Sequence, residues 1–222
     1  MHHSASAYPL SVRYRGIRSK FKCSFGTSKA SGMATEKQNQ DLDFTQIFAP
    51  KAAGSIKPAD PVQVESDALI GAADLKKGGY CVSLTRQRTQ AHPAAPPNAR
   101  ILVVEDDPSV AALLERLLTR AGYQPTVAGS GRELVERLRA PPLPHLVLLD
   151  VMLPDIDGFK ILERIRQHQV IGDLPVVMLT AKSDLADLMR GIAAGADGYI
   201  TKPAKREAVE AVIKQVLSGA PG

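Results

Sequence analysis

Four positions in the second half of this 222-residue chain carry side chains that could together act on a phosphoryl group, and each stands at the end of a short apolar run. Asp150 closes Leu146 to Leu149 within HLVLLDVMLPDIDG. Asp106 follows ILVVE, with Glu105 before it and Asp107 after it. Thr180 closes PVVML, and Lys202 follows the run near Tyr199 to Thr201 and precedes Pro203. Continuous apolar runs of this length read as buried parallel strands, whose carboxyl ends form the edge where open α/β folds keep their chemistry. One carboxylate at such an edge could be an ion-pair partner, a metal ligand or a nucleophile; four polar groups at equivalent strand ends make a site. Clustered carboxylates repel one another and suit a hard divalent cation, and Mg²⁺ takes few protein oxygens while keeping places for water and phosphate. Lys202 adds positive charge and Thr180 a hydroxyl donor for phosphoryl oxygens, which is the equipment for phosphoryl transfer to a carboxylate, with Asp150 attacking in line.

Holding those strand ends together requires a regular alternation of elements. Pro108 opens a helix at its favoured first-turn position, Val110, Leu113, Leu114, Leu117 and Leu118 share one face, and Gly122 lies just past its end. A strand follows over 124–128, then a helix over about 132–138 that the PPLP run at 141–144 ends. Beyond Gly158 a helix turns Phe159, Ile161, Leu162 and Ile165 to the core, and helices are expected over about 184–194 and 205–217 on either side of the last strand. Five βα repeats of this kind imply right-handed crossovers and a parallel sheet covered on both faces.

The first part of the chain is different in character. Lys and Arg exceed Asp and Glu by six before Arg100 and fall one short of them from there on, so the net charge of +5 and the pI near 9.2 come from the extension. A nucleic-acid or anionic-surface partner is therefore an expectation for the extension alone. From Met1 to about Ser31 there is no acid, while Arg13, Arg15, Arg18, Lys20, Lys22 and Lys29 lie among serines. A transit peptide, sequence upstream of a start at Met33, and a basic tail that touches phosphates all fit this composition. Residues 33–98 alternate polar stretches with small apolar clusters and are expected to be mostly poorly ordered. Two helices stand out: one capped by Asp41, with Leu42, Phe44, Ile47 and Phe48 on one face, and one over 66–77, with Leu69, Ile70, Ala73 and Leu75 apolar and Gly71 weakening it. Residues 92–98, HPAAPPN, read as a semi-rigid linker, giving an extension over 1–98 and a folded domain over 99–220. Cys23 and Cys81 have no ligand-spaced partners and read as reduced thiols, and no apolar run reaches transmembrane length.

VVEDDP (103–108), LLDVMLPDIDG (148–158), LTA (179–181) and GADGYITKP (195–203) resemble, in order and spacing, the motifs of the receiver domain of two-component response regulators. The resemblance implies a flavodoxin-like (βα)5 sheet of strand order 2-1-3-4-5 after a largely disordered amino-terminal extension. It implies Asp150 as phosphoacceptor and Asp106 as direct Mg²⁺ ligand, with Glu105 acting through water and Met152 offering its backbone carbonyl. Thr180 and Lys202 complete the catalytic set. Thr180 and Tyr199 match the switch pair: Thr180 moves toward the phosphoryl group, Tyr199 turns into the space vacated, and the surface of the fourth helix, fifth strand and fifth helix changes. Asp107 is not a ligand position and reads as helix-start charge. The Lys202–Pro203 bond is cis in typical members, and Ala204 stands where they carry Phe, implying a looser contact. Met152 and Lys182 flank the path of an attacking water, and a Met there, unable to orient it, implies slow self-dephosphorylation.

The function so implied is that of a cytoplasmic signalling protein, no enzyme beyond its own phosphorylation and dephosphorylation, which takes a phosphoryl group from a histidine kinase or phosphotransfer protein. The sequence ends four residues after Ser218, so no carboxyl-terminal DNA-binding domain is expected and output passes to another protein. The alternative is a receiver gating the basic extension as an effector that binds nucleic acid or an anionic surface. A Mg²⁺-dependent phosphatase with an Asp nucleophile is disfavoured, because Met152 occupies the place of its acidic general acid. His145 and His168 read as loop and helix-surface residues, not phosphorelay histidines. A phosphorylation-dependent dimer is a further expectation of the resemblance.

Overall fold

The computed structural model describes residues 60–82, 96–181 and 185–218. The expected helix over 41–48, Cys23, Lys182 and most of the 92–98 linker lie outside them. The elements are α1 (Pro61–Gly78), β1 (Tyr80–Val82), β2 (Arg100–Val104), α2 (Pro108–Arg120), β3 (Gln124–Ala128), α3 (Gly131–Arg139), β4 (Leu146–Asp150), α4 (Gly158–Gln167), β5 (Val176–Thr180), α5 (Leu185–Ala193), β6 (Gly198–Thr201) and α6 (Arg206–Ser218).

Local chemistry sets the helix boundaries. Asp107 accepts from the Ser109 and Val110 backbone N–H groups ahead of Pro108, Ser130 accepts from Glu133 N, and Asp157 accepts from Phe159 N at 2.7 Å. Each cap satisfies donors that the first helical turn leaves without an intrahelical partner. Strands β4 and β5 are buried along their whole length, as strands covered on both faces must be. The six strands run β1-β6-β5-β4-β2-β3, and every pairing from β6 to β3 is parallel. Alternate residues of the sheet feed two cores. Leu102, Val104, Val147 and Leu149 meet α3, α4, α5 and α1, whereas Ile101, Val103, Leu146 and Leu148 meet α2 and α6.

The five βα units lie where the periodicity puts them, with ends shifted by about a residue. The extension departs from expectation in part. The helix expected over 66–77 is present and longer, an 18-residue helix over 61–78, and it leads into a sixth strand, not foreseen from the composition, that pairs antiparallel with β6. The helix also presents a different face from the one its apolar residues suggest. Leu69 and Ile70 are 55% and 51% exposed, and Val64, Ala68, Gly71 and Leu75 face inward. The reason is close approach: a Cβ built on Gly71 would stand 3.1 Å from Leu188 Cδ2 of α5 and 3.2 Å from Cys81 Sγ, so the glycine that weakens the helix lets it dock.

One buried ion pair ties three segments together. Arg166 at the end of α4 meets Asp197 at 2.9 Å and donates to the carbonyls of Gly172, Leu174 and Gly195, while Asp197 accepts from Val176 N at 2.8 Å. Removing one partner leaves the other charge uncompensated, so Arg166→Ala is expected to cost about 3–5 kcal/mol in denaturant unfolding.

Candidate functional site

The carboxyl ends of β2 and β4 bring Glu105, Asp106 and Asp150 to one edge, with ligand oxygens all within 4.8 Å of one another. Asp106 is exposed, whereas Glu105 and Asp150 are 2% and 4% exposed. Lys202, just past β6, enters from the opposite side. Its Nζ lies 2.6 Å from Glu105 Oε2 and 2.7 Å from Asp150 Oδ2, joining carboxylates carried by two different strands. Burial raises the Glu105 carboxyl above its ordinary range against the opposing pull of Lys202, and the nearby Asp150 charge adds to the rise. For Lys202 burial works to lower the pKa, but its bonds to Asp150 and Glu105 outweigh that and hold the ammonium charged.

The loop after β4 is shaped by backbone contact. Met152 N donates to Asp150 Oδ1 at 3.2 Å, Gly158 N donates to the Val151 carbonyl, and a Cβ at position 158 would stand 2.2 Å from the Asp150 carbonyl oxygen. Only a residue without a side chain lets the loop fold back so closely on the strand bearing Asp150. The Met152 side chain is 74% exposed beside the site. Thr180 is buried at the end of β5, and its carbonyl accepts from Lys202 N at 2.8 Å, fixing the relative depth of the two strand ends. The Lys202–Pro203 bond is cis, and Ala204 is buried in the core beneath α6.

The sequence-derived site is thus assembled for Glu105, Asp106, Asp150 and Lys202, with Thr180 at the same edge. Tyr199 is set apart: it is 1% exposed, enclosed with α1 and α5 residues, and its hydroxyl lies 3.5 Å from the Leu188 carbonyl oxygen. His145 Nδ1 accepts from Arg100 N, and His168 Nδ1 accepts from Val170 and Ile171 N, which are structural uses of both imidazoles. Sequence reasoning did not find the bridging role of Lys202 between two acids, for which no local signal exists.

Three carboxylates, one of them exposed, offer hard oxygen donors of the kind Mg²⁺ takes, one or two directly and the others through its retained waters, and the donor set fits that ion. The buried Glu105 Oε2 has an ion-pair contact but no hydrogen bond, which leaves it able to accept a further partner.

A doubly wound α/β sheet with acids and a lysine at its carboxyl edge is the class that fold and site define. Residues 101–214 match the response regulator receiver domain family, and the chain belongs to that family of two-component signalling. It is 41% identical over 117 residues to the transcriptional regulatory protein AfsQ1 of Streptomyces coelicolor, covering 53% of this chain and 50% of that protein. It is 39% identical over 120 residues to the alkaline phosphatase synthesis transcriptional regulatory protein PhoP of Bacillus subtilis, covering 54% and 49%. The signal receiver domain of a histidine kinase from Syntrophus aciditrophicus superposes with a TM-score of 0.51 at 36% identity, covering 55% of this chain and 92% of that structure. The chain spans about half the length of the curated relatives it matches. No described helix is long and apolar enough to cross a membrane.

Asp107 belongs to the helix and not to the acidic cluster. The backbone N–H groups of Ser109 and Val110 lower its pKa, so its contribution to stability is present above the ordinary aspartate range near 3.8 and is lost as pH falls through the lower folded value. Asp107→Ala is expected to lower the melting temperature at pH 7, with the difference from wild type shrinking in acid, while Asp107→Asn keeps most of the cap. Divalent-cation binding, followed by calorimetry, should be unchanged in both.

Proposed function

We propose that the protein accepts a phosphoryl group on Asp150 from a histidine kinase or phosphotransfer protein and signals through the altered binding of other proteins. The observation that carries this reading is the arrangement of Lys202 and Asp150 beside two further acids: a nucleophilic carboxylate with its counter-charge in place and a cation site next to it. Asp106, Asp150, Glu105 and the Met152 carbonyl would hold Mg²⁺, which supplies neutralisation of the charge spread over the transferring group. An Asp150 oxygen attacks phosphorus in line as the phosphorus–nitrogen bond of the donor histidine breaks, and the leaving imidazole takes up a proton. Lys202 and the Thr180 hydroxyl serve the phosphoryl oxygens as they leave the donor. Thr180 and Tyr199 then carry the change away from the site. The unit that performs this chemistry is residues 99–220, and the reading sets the protein in the cytoplasm as a signalling component.

Intact mass after incubation with Mg²⁺ and acetyl phosphate tests the reading. One added phosphoryl group is expected on the wild type and none on Asp150→Asn; addition to the mutant, or none to the wild type, overturns it. Lys202→Ala should cut the rate of addition by at least about a hundredfold, because it removes the charge paired with the nucleophile.

Met152 determines how long the mark lasts. Its thioether cannot hydrogen-bond strongly to an attacking water, so loss of the phosphoryl group is slow, and Met152→Asn is expected to shorten the half-life several-fold. An unchanged half-life, followed by mass or by released phosphate, would remove this role.

A further inference from the structure

Residues 61–82 occupy a built seat at the open edge of the receiver sheet. β1 pairs with β6 through Tyr80–Ile200, Cys81–Tyr199 and Val82–Gly198. On one side of the sheet Val64, Ala68, Leu75 and Cys81 are buried with Leu188, Ile192 and Tyr199; on the other, Tyr80 and Val82 pack against the core beneath α6. The seat requires close approach on both partners. A Cβ on Gly71 would press Leu188, and one on Gly198 would stand 3.0 Å from the Cys81 carbonyl oxygen. Gly79 ends α1 at φ 77°, a conformation other residues rarely adopt, and turns the chain into β1.

The same turn is fastened next to the chemistry. The Gly79 carbonyl accepts from Thr201 N at 2.9 Å and from Thr201 Oγ1 at 3.2 Å. The next residue is Lys202, whose ammonium bridges Asp150 and Glu105. A phosphoryl group on Asp150 would place new anionic oxygens beside that ammonium, and a move of Lys202 toward them would pull on the end of β6 and on the Gly79–Thr201 bonds next to it. The attachment is also short, three residue pairs of strand and one helix flank, and it must offset the ordering of the whole segment.

We propose that residues 61–82 are a built-in ligand of the β6 edge, seated while Asp150 is unmodified and released when it carries a phosphoryl group. Release uncovers an unpaired strand edge and the apolar flank of Leu188, Ile192 and Tyr199, a surface suited to a protein partner that adds a strand. The proposal rests on Asp150 being the phosphoacceptor.

Cys81 reports the seat directly. It is buried between α1 and β6, and burial, with the Asp74 charge adding, pushes its thiol up to about 12, so it should react slowly while the segment is docked. In the full chain carrying Cys23→Ser, its reaction with a disulfide reagent is timed with and without Mg²⁺ and beryllofluoride, a reversible stand-in for the phosphoryl group. Intact mass after acetyl phosphate is recorded on the same protein. The expected result is a rise of about tenfold in rate with beryllofluoride, absent in Asp150→Asn. Gly71→Leu or Ala68→Asp, which unseat α1 without touching the site, should give the fast rate in both conditions and bind beryllofluoride more tightly by a similar factor, since coupling between two equilibria is reciprocal. Phosphoryl addition with an unchanged or slower thiol rate overturns release and leaves the phosphoacceptor reading intact. No addition overturns both.

Discussion

The crowding of like charge at one sheet edge is the constraint on which the rest of this structure depends. Glu105, Asp106 and Asp150 converge because the strands that carry them pair in parallel, and parallel pairing aligns all carboxyl ends on one side. Carboxylates at such spacing repel one another strongly, the more so because two of them are buried. Lys202 compensates part of that repulsion by contacting Glu105 and Asp150 together. The arrangement remains short of positive charge, a deficit that a divalent cation would suit.

Holding that geometry falls to the apolar core. β4 and β5 are buried from end to end, so the position of Asp150 and Thr180 along the sheet is set by side chains with no slack to slide. A one-residue slip would turn every core residue to the opposite layer, and Asp150 with it. The loop beyond Asp150 is held as firmly by backbone approach at Gly158. Arg166 and Asp197 secure the far ends of the same elements, where the loops entering β5 and β6 meet.

The acidic site and its frame were legible in the residues because their signals are local. An apolar run ending in a carboxylate marks a buried strand and its carboxyl end, and a Pro after Asp107 marks the helix start that the Asp107 cap confirms. The segment over 61–82 sends a weaker signal: a helix over 66–77 can be read, but neither its docked face nor the strand after it. Its buried face joins Val64 and Leu75 through Ala68 and Gly71, which add little to a hydrophobic pattern, while Leu69 and Ile70 point outward. Its strand is three residues long, too short for an alternation to be read. What holds it is close fit to α5 and β6, a property of two surfaces together.

Sequence alone determined the order of elements from Arg100 onward, the five-unit parallel repeat and the strand-end positions of Asp106, Asp150, Thr180 and Lys202. Those follow from periodicity and chain chirality, which act within a few residues or a single crossover. Only the tertiary structure decided that Lys202 spans Glu105 and Asp150, that Tyr199 lies enclosed with α1 and α5, and that residues 61–82 complete the sheet. Each of these joins residues far apart in the chain through contact distance, and a pattern along one strand or helix reports which face is buried without reporting what covers it.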